Sequence, residues 1–431
     1  MYKFIIFLLF VFLIIFSSLI NKKIFKSIYN YLTVLIILYS IVIFLSFFNF
    51  FGFPNVSFKT YIYLFIGLLS LELSSICILL FMNKHDRDEK KSKYKINDFK
   101  LLFCSLICMI LIIPTAIKGY QIFSVSGLNA LRWAWQGNYY PQTTRMFIVY
   151  VISPIISTLT FFSIYHFIND RKAVLSLLIN IFSYFLIMLI TGGRMMIFTL
   201  VVFIFSTLII KYKGNVITIL KKNKIIIAVL IAFLISIILV SSQRSLSKNE
   251  GLLFNSYSYF VGSVHLFDFY TTNPYLSLLD GSHLLYGKAM LSPYVDIFKL
   301  FISFVGIPNN ITSGIEDINL IAQHYFTLSN GVTMNNNLTF AYVCLRDFGL
   351  LGLLIDPVYI SLIYAFIYKK YKKNEDDKYK IMYFYSLSIL PFFIFEYYFS
   401  RTPVVLTYIY IIIVFHFIYE KKGKHRRRFN E

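Results

Sequence analysis

The sequence predicts an all-α polytopic membrane protein, and three observations support this prediction. Hydrophobic residues make up 58% of the 431-residue chain and charged residues only 14%, whereas about a quarter of an ordinary soluble domain is charged. The mean hydropathy is +0.70. The apolar residues are gathered into runs of about 20, the length that an α-helix needs to cross a hydrocarbon core about 30 Å thick. We therefore expect one integral membrane domain, residues 1–431, without a separate soluble domain.

Eleven such runs predict about eleven transmembrane helices. They lie near residues 4–20, 31–50, 60–82, 101–117, 146–168, 173–190, 195–210, 225–241, 348–368, 381–397 and 403–419. The first run resembles a signal peptide, but it has no small-residue cleavage site and is followed at once by Lys22, Lys23 and Lys26. Because a basic cluster at that position holds a helix in the membrane, we interpret the run as a retained anchor.

The basic residues predict the topology. Alternate loops contain most of the 41 lysines and arginines. These loops cover residues 22–26, 84–100, 171–172, 211–224, 369–380 and 421–428. Because loops rich in Lys and Arg stay in the cytoplasm, the N-terminus is predicted outside the cell and the C-terminus inside. This topology explains the net charge of +21 by contact with membrane lipid and requires no nucleic acid as a partner.

The longest interval between predicted spans covers residues 241–337. We expect it to form one large extracytoplasmic loop that covers a membrane-embedded active site. A further span at 251–264 or 284–306 would move the later basic loops to the outside, so we interpret these stretches as re-entrant or interfacial helices. Their aromatic residues, such as Tyr257 and Tyr259, suit the depth of the membrane interface.

Arginine is frequent among the basic residues that this topology leaves outside. These arginines are Arg132, Arg145, Arg194, Arg244, Arg346 and Arg401. A guanidinium keeps its charge and binds phosphate through two parallel hydrogen bonds, although long basic side chains also reach toward lipid headgroups. Arg194 follows two glycines in a turn too short to leave the membrane boundary. There the backbone can approach a ligand closely, and the start of the next helix favours an anion.

Other candidates lie near the same boundary. Trp133 and Trp135, the only tryptophans of the chain, suit stacking on sugar rings and equally suit an interfacial aromatic belt. His324 is one of the histidines predicted outside. Asp347 directly follows Arg346, where it is placed to act as a base or to cap the ninth span.

Two acidic residues, Glu72 and Asp356, lie within predicted spans. An ionisable group in a membrane is costly, so both are functional candidates by default. Asp356 precedes Pro357, and backbone groups freed by a proline kink are an alternative partner for it. The four cysteines lie in apolar runs without the spacing of a disulfide framework or a zinc site, so no metal is predicted.

Short motifs at the ends of the spans resemble those of a known family. Thr191-Gly192-Gly193-Arg194 forms a turn between two spans, and Ser241-Ser242-Gln243-Arg244 opens the large loop. The loop closes with Asn336-Asn337-Leu338-Thr339-Phe340, followed by Arg346-Asp347-Phe348-Gly349-Leu350-Leu351-Gly352. Together with the topology, this pattern resembles the Wzy-type oligosaccharide repeat-unit polymerases of O-antigen and capsule synthesis.

The resemblance implies a GT-C-like, metal-independent glycosyltransferase that needs no cofactor, in a bacterial cytoplasmic membrane. Such an enzyme moves a growing glycan from undecaprenyl diphosphate to the terminal sugar of another lipid-linked repeat unit, and a chain-length regulator protein is a further implied partner. In this interpretation Arg194 and Arg244 stabilise the diphosphate leaving group. Asp347 is the favoured base, ahead of Glu396 and His324. The substrate-binding candidates are Arg401, Arg346, Asn337, Trp133, Trp135 and His324.

Two other functions stay open. The related O-antigen ligases carry a His-Asn pair before the corresponding glycines, whereas this chain has asparagines there without a histidine. A lipid-linked oligosaccharide flippase would also use cationic residues, but it should direct them toward a central cavity and has little need for a large outer loop.

Overall fold

The computed structural model describes most of the chain. The described residues are 2–83, 94–137, 139–171, 173–193, 195–215, 252–273, 284–307, 310–322, 326–327, 331, 333–334, 338–373 and 376–421, with isolated positions between 218 and 235. In chain order the helices of these residues are α1 (Tyr2–Phe25), α2 (Tyr31–Ser46), α3 (Phe58–Asn83), α4 (Asp98–Gln136), α5 (Gln142–Phe147), α6 (Ser153–Asp170), α7 (Val174–Thr191), α8 (Met195–Lys211), α9 (Leu252–Thr272), α10 (Ser292–Phe304), α11 (Gly314–Ala322), α12 (Phe340–Phe348), α13 (Gly352–Lys373), α14 (Asp377–Ile389) and α15 (Thr402–Ile418). Short antiparallel strands pair β1 (Tyr94–Ile96) with β4 (Tyr419–Lys421) and β2 (Phe326–Thr327) with β3 (Thr333–Met334).

The protein is a multi-pass helical membrane protein. Within the described residues, 6 helical segments are long and apolar enough to cross a membrane. They are Tyr2–Phe25, Phe58–Met82, Asp98–Gly127, Gln142–Asp170, Val174–Thr191 and Phe340–Lys373. The helices α2, α8 and α15 are apolar but shorter. The prediction of an all-α membrane protein is confirmed, while the number of crossings and the GT-C-like architecture stay predictions.

One predicted span differs from the observed helix, and another cannot be compared with one. The run near 225–241 lies mostly outside the described residues. The run near 381–397 is an α-helix only as far as Ile389, and a 3₁₀ turn (Leu390–Ile394) follows. Pro391 explains this end, because proline lacks an N–H group and disfavours the helical conformation of the residue before it.

The chain divides into two compact units. The first contains the described residues of Met1–Asp86, Ser245–Phe366 and Ile389–Val405, and the second those of Arg87–Arg244, Ile367–Ser388 and Leu406–Glu431. The described residues of the large predicted loop, including α9, α10 and α11, belong to the first unit.

In the first unit, α9 packs among the other helices. Every residue from Val261 to Phe267 is buried, so this part of α9 is surrounded on all sides. Asp268 of α9 also accepts hydrogen bonds from the Ser57 backbone N–H at 2.9 Å and from the Thr60 hydroxyl at 2.7 Å, and it thereby caps the start of α3. The re-entrant or interfacial position of this stretch relative to the membrane stays a prediction.

In the second unit, α4 extends far beyond the predicted span at 101–117. It continues to Gln136 with one break at Gly127, whose φ is +74°. Gly119 permits close packing of α4 on α7, because a Cβ at this position would lie 2.2 Å from the carbonyl oxygen of Leu189. The side chains of Asn97 and Lys100 contact Glu420 at 2.8 Å and 3.1 Å beside the β1–β4 pair, and they lower its pKa.

Candidate functional site

Helix α12 is short and deeply buried. All residues from Phe340 to Asp347 are buried. The helix ends at Gly349, which adopts φ +60° and donates its N–H to the carbonyl of Leu345, as glycine commonly does after a helix. The next helix, α13, begins at Gly352. Its backbone lies so close to α12 that a Cβ on Gly352 would be 1.8 Å from the carbonyl oxygen of Cys344. These two glycines fix α12 against the start of α13.

One side of α12 has three polar groups. Thr339, Tyr342 and Arg346 are spaced by three and four residues, so they lie on the same face of the helix. Thr339 and Tyr342 are fully buried, and Arg346 is 7% exposed. Within the described residues, the Thr339 hydroxyl, the Tyr342 hydroxyl and the Nε of Arg346 have no hydrogen-bond partner. We call these three residues the polar face of α12.

The polar face has the chemistry of an anion site. A buried polar group without a hydrogen-bond partner destabilises the fold, and a buried ion without one does so by several kcal/mol. Such groups are therefore rare in native proteins. All three groups on this face can donate hydrogen bonds, and Arg346 adds a fixed positive charge. The ring of Tyr342 is held by the ring of Tyr270 from α9, at a centroid distance of 5.0 Å. A phosphate oxygen group would satisfy all three donors.

Asp347 has a different role from its neighbour. Its two carboxylate oxygens accept hydrogen bonds from the backbone N–H groups of Ala289 at 2.9 Å and Met290 at 2.7 Å. The backbone carbonyls of Arg346 and Asp347 accept from the N–H groups of Leu285 and Tyr286, both at 2.8 Å. Asp347 therefore holds the segment before α10 against the end of α12. It caps this segment instead of the ninth predicted span, and its role as a base stays a prediction.

The segment that Asp347 holds is closely packed on its other sides. Gly287 adopts φ +84°, and a Cβ there would lie 3.0 Å from the ring of Phe348. Gly314, at the start of α11, would place a Cβ 2.3 Å from the backbone nitrogen of Ala289. Part of the large predicted loop is thus fixed directly beside α12.

Arg401 already has a counter-charge. Its guanidinium forms an ion pair with Glu396, and its side chain is 39% exposed. The adjacent Thr402 donates its hydroxyl to Asp296 of α10. Arg401 and Glu396 were predicted separately as a phosphate ligand and a candidate base, and the structure brings them together as a pair.

The aromatic candidates belong to the second unit. Trp133 is 69% exposed, while Trp135 packs against Tyr140 at a centroid distance of 5.5 Å. Arg145 donates to the backbone carbonyls of residues 135, 136 and 137 at 3.3, 3.3 and 3.0 Å. One terminal nitrogen of Arg145 therefore caps the C-terminal end of α4, while its Nε has no hydrogen-bond partner in the described residues.

The two glycines before Arg194 differ in their surroundings. Gly192 adopts φ +60°, and a Cβ there would lie 3.1 Å from the backbone nitrogen of Arg132. Gly193 donates its N–H to the Thr191 hydroxyl at 3.1 Å and does not have a positive φ. At Gly192, the part of the chain that comes close to the turn is therefore α4. The predicted residues Arg194, Arg244, Asn337 and His324 lie outside the described residues.

Sequence reasoning found Arg346 but missed Thr339 and Tyr342 as its companions. Their spacing of three and four residues along an otherwise apolar helix was a usable signal. Within the described part of the chain, no group of three or more His, Cys, Asp or Glu side chains is arranged to hold a metal. Comparison with family models, curated proteins and solved structures finds no match for this chain. Fold and site together define a multi-pass helical membrane protein with a buried cationic face.

Proposed function

We propose that the protein polymerises undecaprenyl-diphosphate-linked oligosaccharide repeat units into a surface polysaccharide, on the outer face of a bacterial cytoplasmic membrane. The observation that carries the proposal is the polar face of α12, where the Nε of a buried arginine and two buried hydroxyls have no hydrogen-bond partner in the described chain. It lies within Phe340–Lys373, a segment apolar enough to cross a membrane. A lipid-linked phosphate is an anion that reaches such a position. The predicted eleven-span topology and the motifs that resemble Wzy-type polymerases are the sequence-based support for the same function.

The reaction requires stabilisation of a leaving group. The bond between the anomeric carbon and the diphosphate oxygen breaks, and the anomeric carbon forms a new bond to a hydroxyl oxygen of the acceptor sugar. The hydroxyl proton goes to a base, and negative charge develops on the departing diphosphate. Arg346, Tyr342 and Thr339 are suited to donate hydrogen bonds to that charge. Arg194 and Arg244 stay predicted diphosphate ligands on the strength of the sequence motifs alone.

The other predicted residues take supporting roles in this proposal. Asp347 positions the segment that contains Ala289 and Met290 beside α12, because both of its carboxylate oxygens already accept backbone hydrogen bonds. The exposed ring of Trp133 is suited to stack on a sugar. Asn337 and His324 remain candidates for contacts with the acceptor.

Deletion of the gene in its native host tests the proposal. A polymerase deletion leaves surface glycan that stops at one repeat unit. Repeat units that accumulate at the inner leaflet would indicate a flippase, and full-length polymer left on its lipid carrier would indicate a ligase. Complementation with wild type should restore long chains, whereas Arg346→Met should not. Arg145→Met is the matched control, because Arg145 contacts backbone carbonyls and is assigned no ligand, so any polymer loss should follow protein level.

A further inference from the structure

A second buried polar cluster lies in the first unit, formed by α1, α2 and α3. Its centre is Glu72 of α3, which is fully buried. The Ser17 hydroxyl of α1 donates to one carboxylate oxygen of Glu72, Oε2, at 3.2 Å. The Asn21 amide donates to the Ser17 hydroxyl at 2.8 Å and to the Thr33 hydroxyl of α2 at 3.2 Å. Three helices are thus joined around one carboxylate.

Several oxygens of this cluster lack a hydrogen-bond partner. Within the described residues they are Oε1 of Glu72 and Oδ1 of Asn21, and the hydroxyl of Tyr31 makes no hydrogen bond of good geometry, although Ser75 lies near it. The side chains of Glu72 and Asn21 are fully buried, and Tyr31 is 1% exposed. The Tyr31 hydroxyl lies within electrostatic reach of the Glu72 carboxylate, and Asn21 lies within hydrogen-bonding range of it.

The carboxylate also lacks a positive partner. Within the described chain, the groups that act on Glu72 are the neutral side chains of Ser17 and Asn21. An isolated buried carboxylate is strongly unfavourable, so buried charges in proteins are paired or coordinate a metal ion. The cluster therefore has one negative charge to balance and several hard oxygens without a partner.

We propose that this cluster binds a monovalent cation of the Na⁺ type. A proton on Oε1 of Glu72 would add a single donor to the cluster and no positive charge that several oxygens could share. A divalent ion would bring two charges to a site with one carboxylate. Carboxylate, amide and hydroxyl oxygens are hard ligands and suit a hard cation. The bound cation would link α1, α2 and α3 and would stabilise the first unit.

The test measures thermal unfolding of the purified full-length protein in detergent. NaCl is titrated against choline chloride at constant ionic strength, and KCl and MgCl₂ are run in parallel. Wild type should show a saturable rise in Tm with Na⁺, because a ligand that binds only the folded state stabilises it. Glu72→Gln should raise the Na⁺ concentration that gives half of the Tm increase by about tenfold or more, as loss of a metal-site group typically does. Glu316→Gln is the control, since the Glu316 carboxylate of the same unit already has a counter-charge in Lys299 at 2.8 Å and should keep the wild-type dependence.

Three results would overturn the proposal. They are a wild-type Tm equal in Na⁺ and choline, an equal Na⁺ dependence in Glu72→Gln, or a dependence on pH without one on Na⁺, which would indicate a proton. If Glu72→Gln does not fold, binding of ²²Na⁺ to wild type decides the matter. Saturable binding that unlabelled Na⁺ displaces supports the site, and its absence refutes it. The outcome does not depend on the proposed polymerase activity, since no glycan substrate is present.

Discussion

Arg346 and Asp347 are adjacent in the chain, yet they do not form an ion pair within the described structure. The Asp347 carboxylate is taken up by the backbone N–H groups of Ala289 and Met290. The Arg346 guanidinium lies on another side of α12 with the hydroxyls of Thr339 and Tyr342, and its Nε has no partner in the described residues. Asp347 therefore fixes the local fold, whereas the Arg346 guanidinium is available to bind an anion.

Arg346→Met should separate function from stability. The Nε of Arg346 has no hydrogen-bond partner in the described residues, and replacing buried charged groups by apolar side chains is often neutral or stabilising, by about 1–4 kcal/mol. We expect an equal or higher Tm for the purified protein and loss of long glycan chains in cells. Arg145→Met should instead lower the Tm, because Arg145 donates to three carbonyls at the end of α4. A fall in Tm for Arg346→Met like that of Arg145→Met would show that Arg346 is structural.

Tyr342→Phe tests the hydroxyl on the same face. The substitution removes one donor and keeps the ring that packs against Tyr270. We expect a Tm close to that of wild type, because the hydroxyl has no partner in the described residues. Loss of a single donor to a developing charge costs about 10²–10³ in kcat, which polymerisation of purified lipid-linked repeat units would measure. Activity equal to wild type would exclude the Tyr342 hydroxyl from the site.

Asp347→Asn should act through stability. The amide keeps one acceptor but turns an NH₂ group toward a backbone N–H, so one of two charge-assisted hydrogen bonds is lost and a donor is left buried. We expect a loss of about 2–4 kcal/mol in the free energy of unfolding. Folded protein should keep measurable polymerase activity per molecule. Asp317→Asn, in the first turn of α11, is the matched control and should change stability by less than about 1 kcal/mol. A normal Tm combined with complete loss of activity would support Asp347 as the base.

The glycines of the second unit give a prediction about packing. Gly119→Ala places a methyl group 2.2 Å from the carbonyl oxygen of Leu189, so α4 and α7 must separate. Overpacking of this kind costs about 1–3 kcal/mol, and thermal unfolding should show it. Gly193→Ala, where the nearest atom is the Thr191 hydroxyl oxygen at 3.2 Å, should cost clearly less. Equal losses in both variants would contradict the close contact of α4 with α7.

Much of the fold was predictable, because hydrophobic runs report helices directly. The prediction was poorer where local residues override the run. Pro391 ends α14 before its apolar sequence ends, and α4 continues as a helix through a stretch that was expected to be a connection. Neither the end of an apolar run nor a polar stretch after it specifies where a helix stops.

The site was predicted in part. Composition and topology singled out Arg346 and Asp347, but they did not distinguish their roles. That distinction depends on Ala289 and Met290, which are about sixty residues away in sequence and contact Asp347 only in the folded chain. The pairing of Arg401 with Glu396 is local and was within reach of the sequence, since the two residues are five positions apart.

The most direct measurement is equilibrium binding of undecaprenyl diphosphate to the purified full-length protein. Wild type and Arg346→Met should be compared under conditions in which both are folded, as shown by their Tm values. We expect saturable binding to wild type and affinity at least about tenfold weaker for Arg346→Met, in line with loss of a charge-assisted contact. Equal affinities for the two proteins would contradict the assignment of the polar face of α12 as the phosphate site.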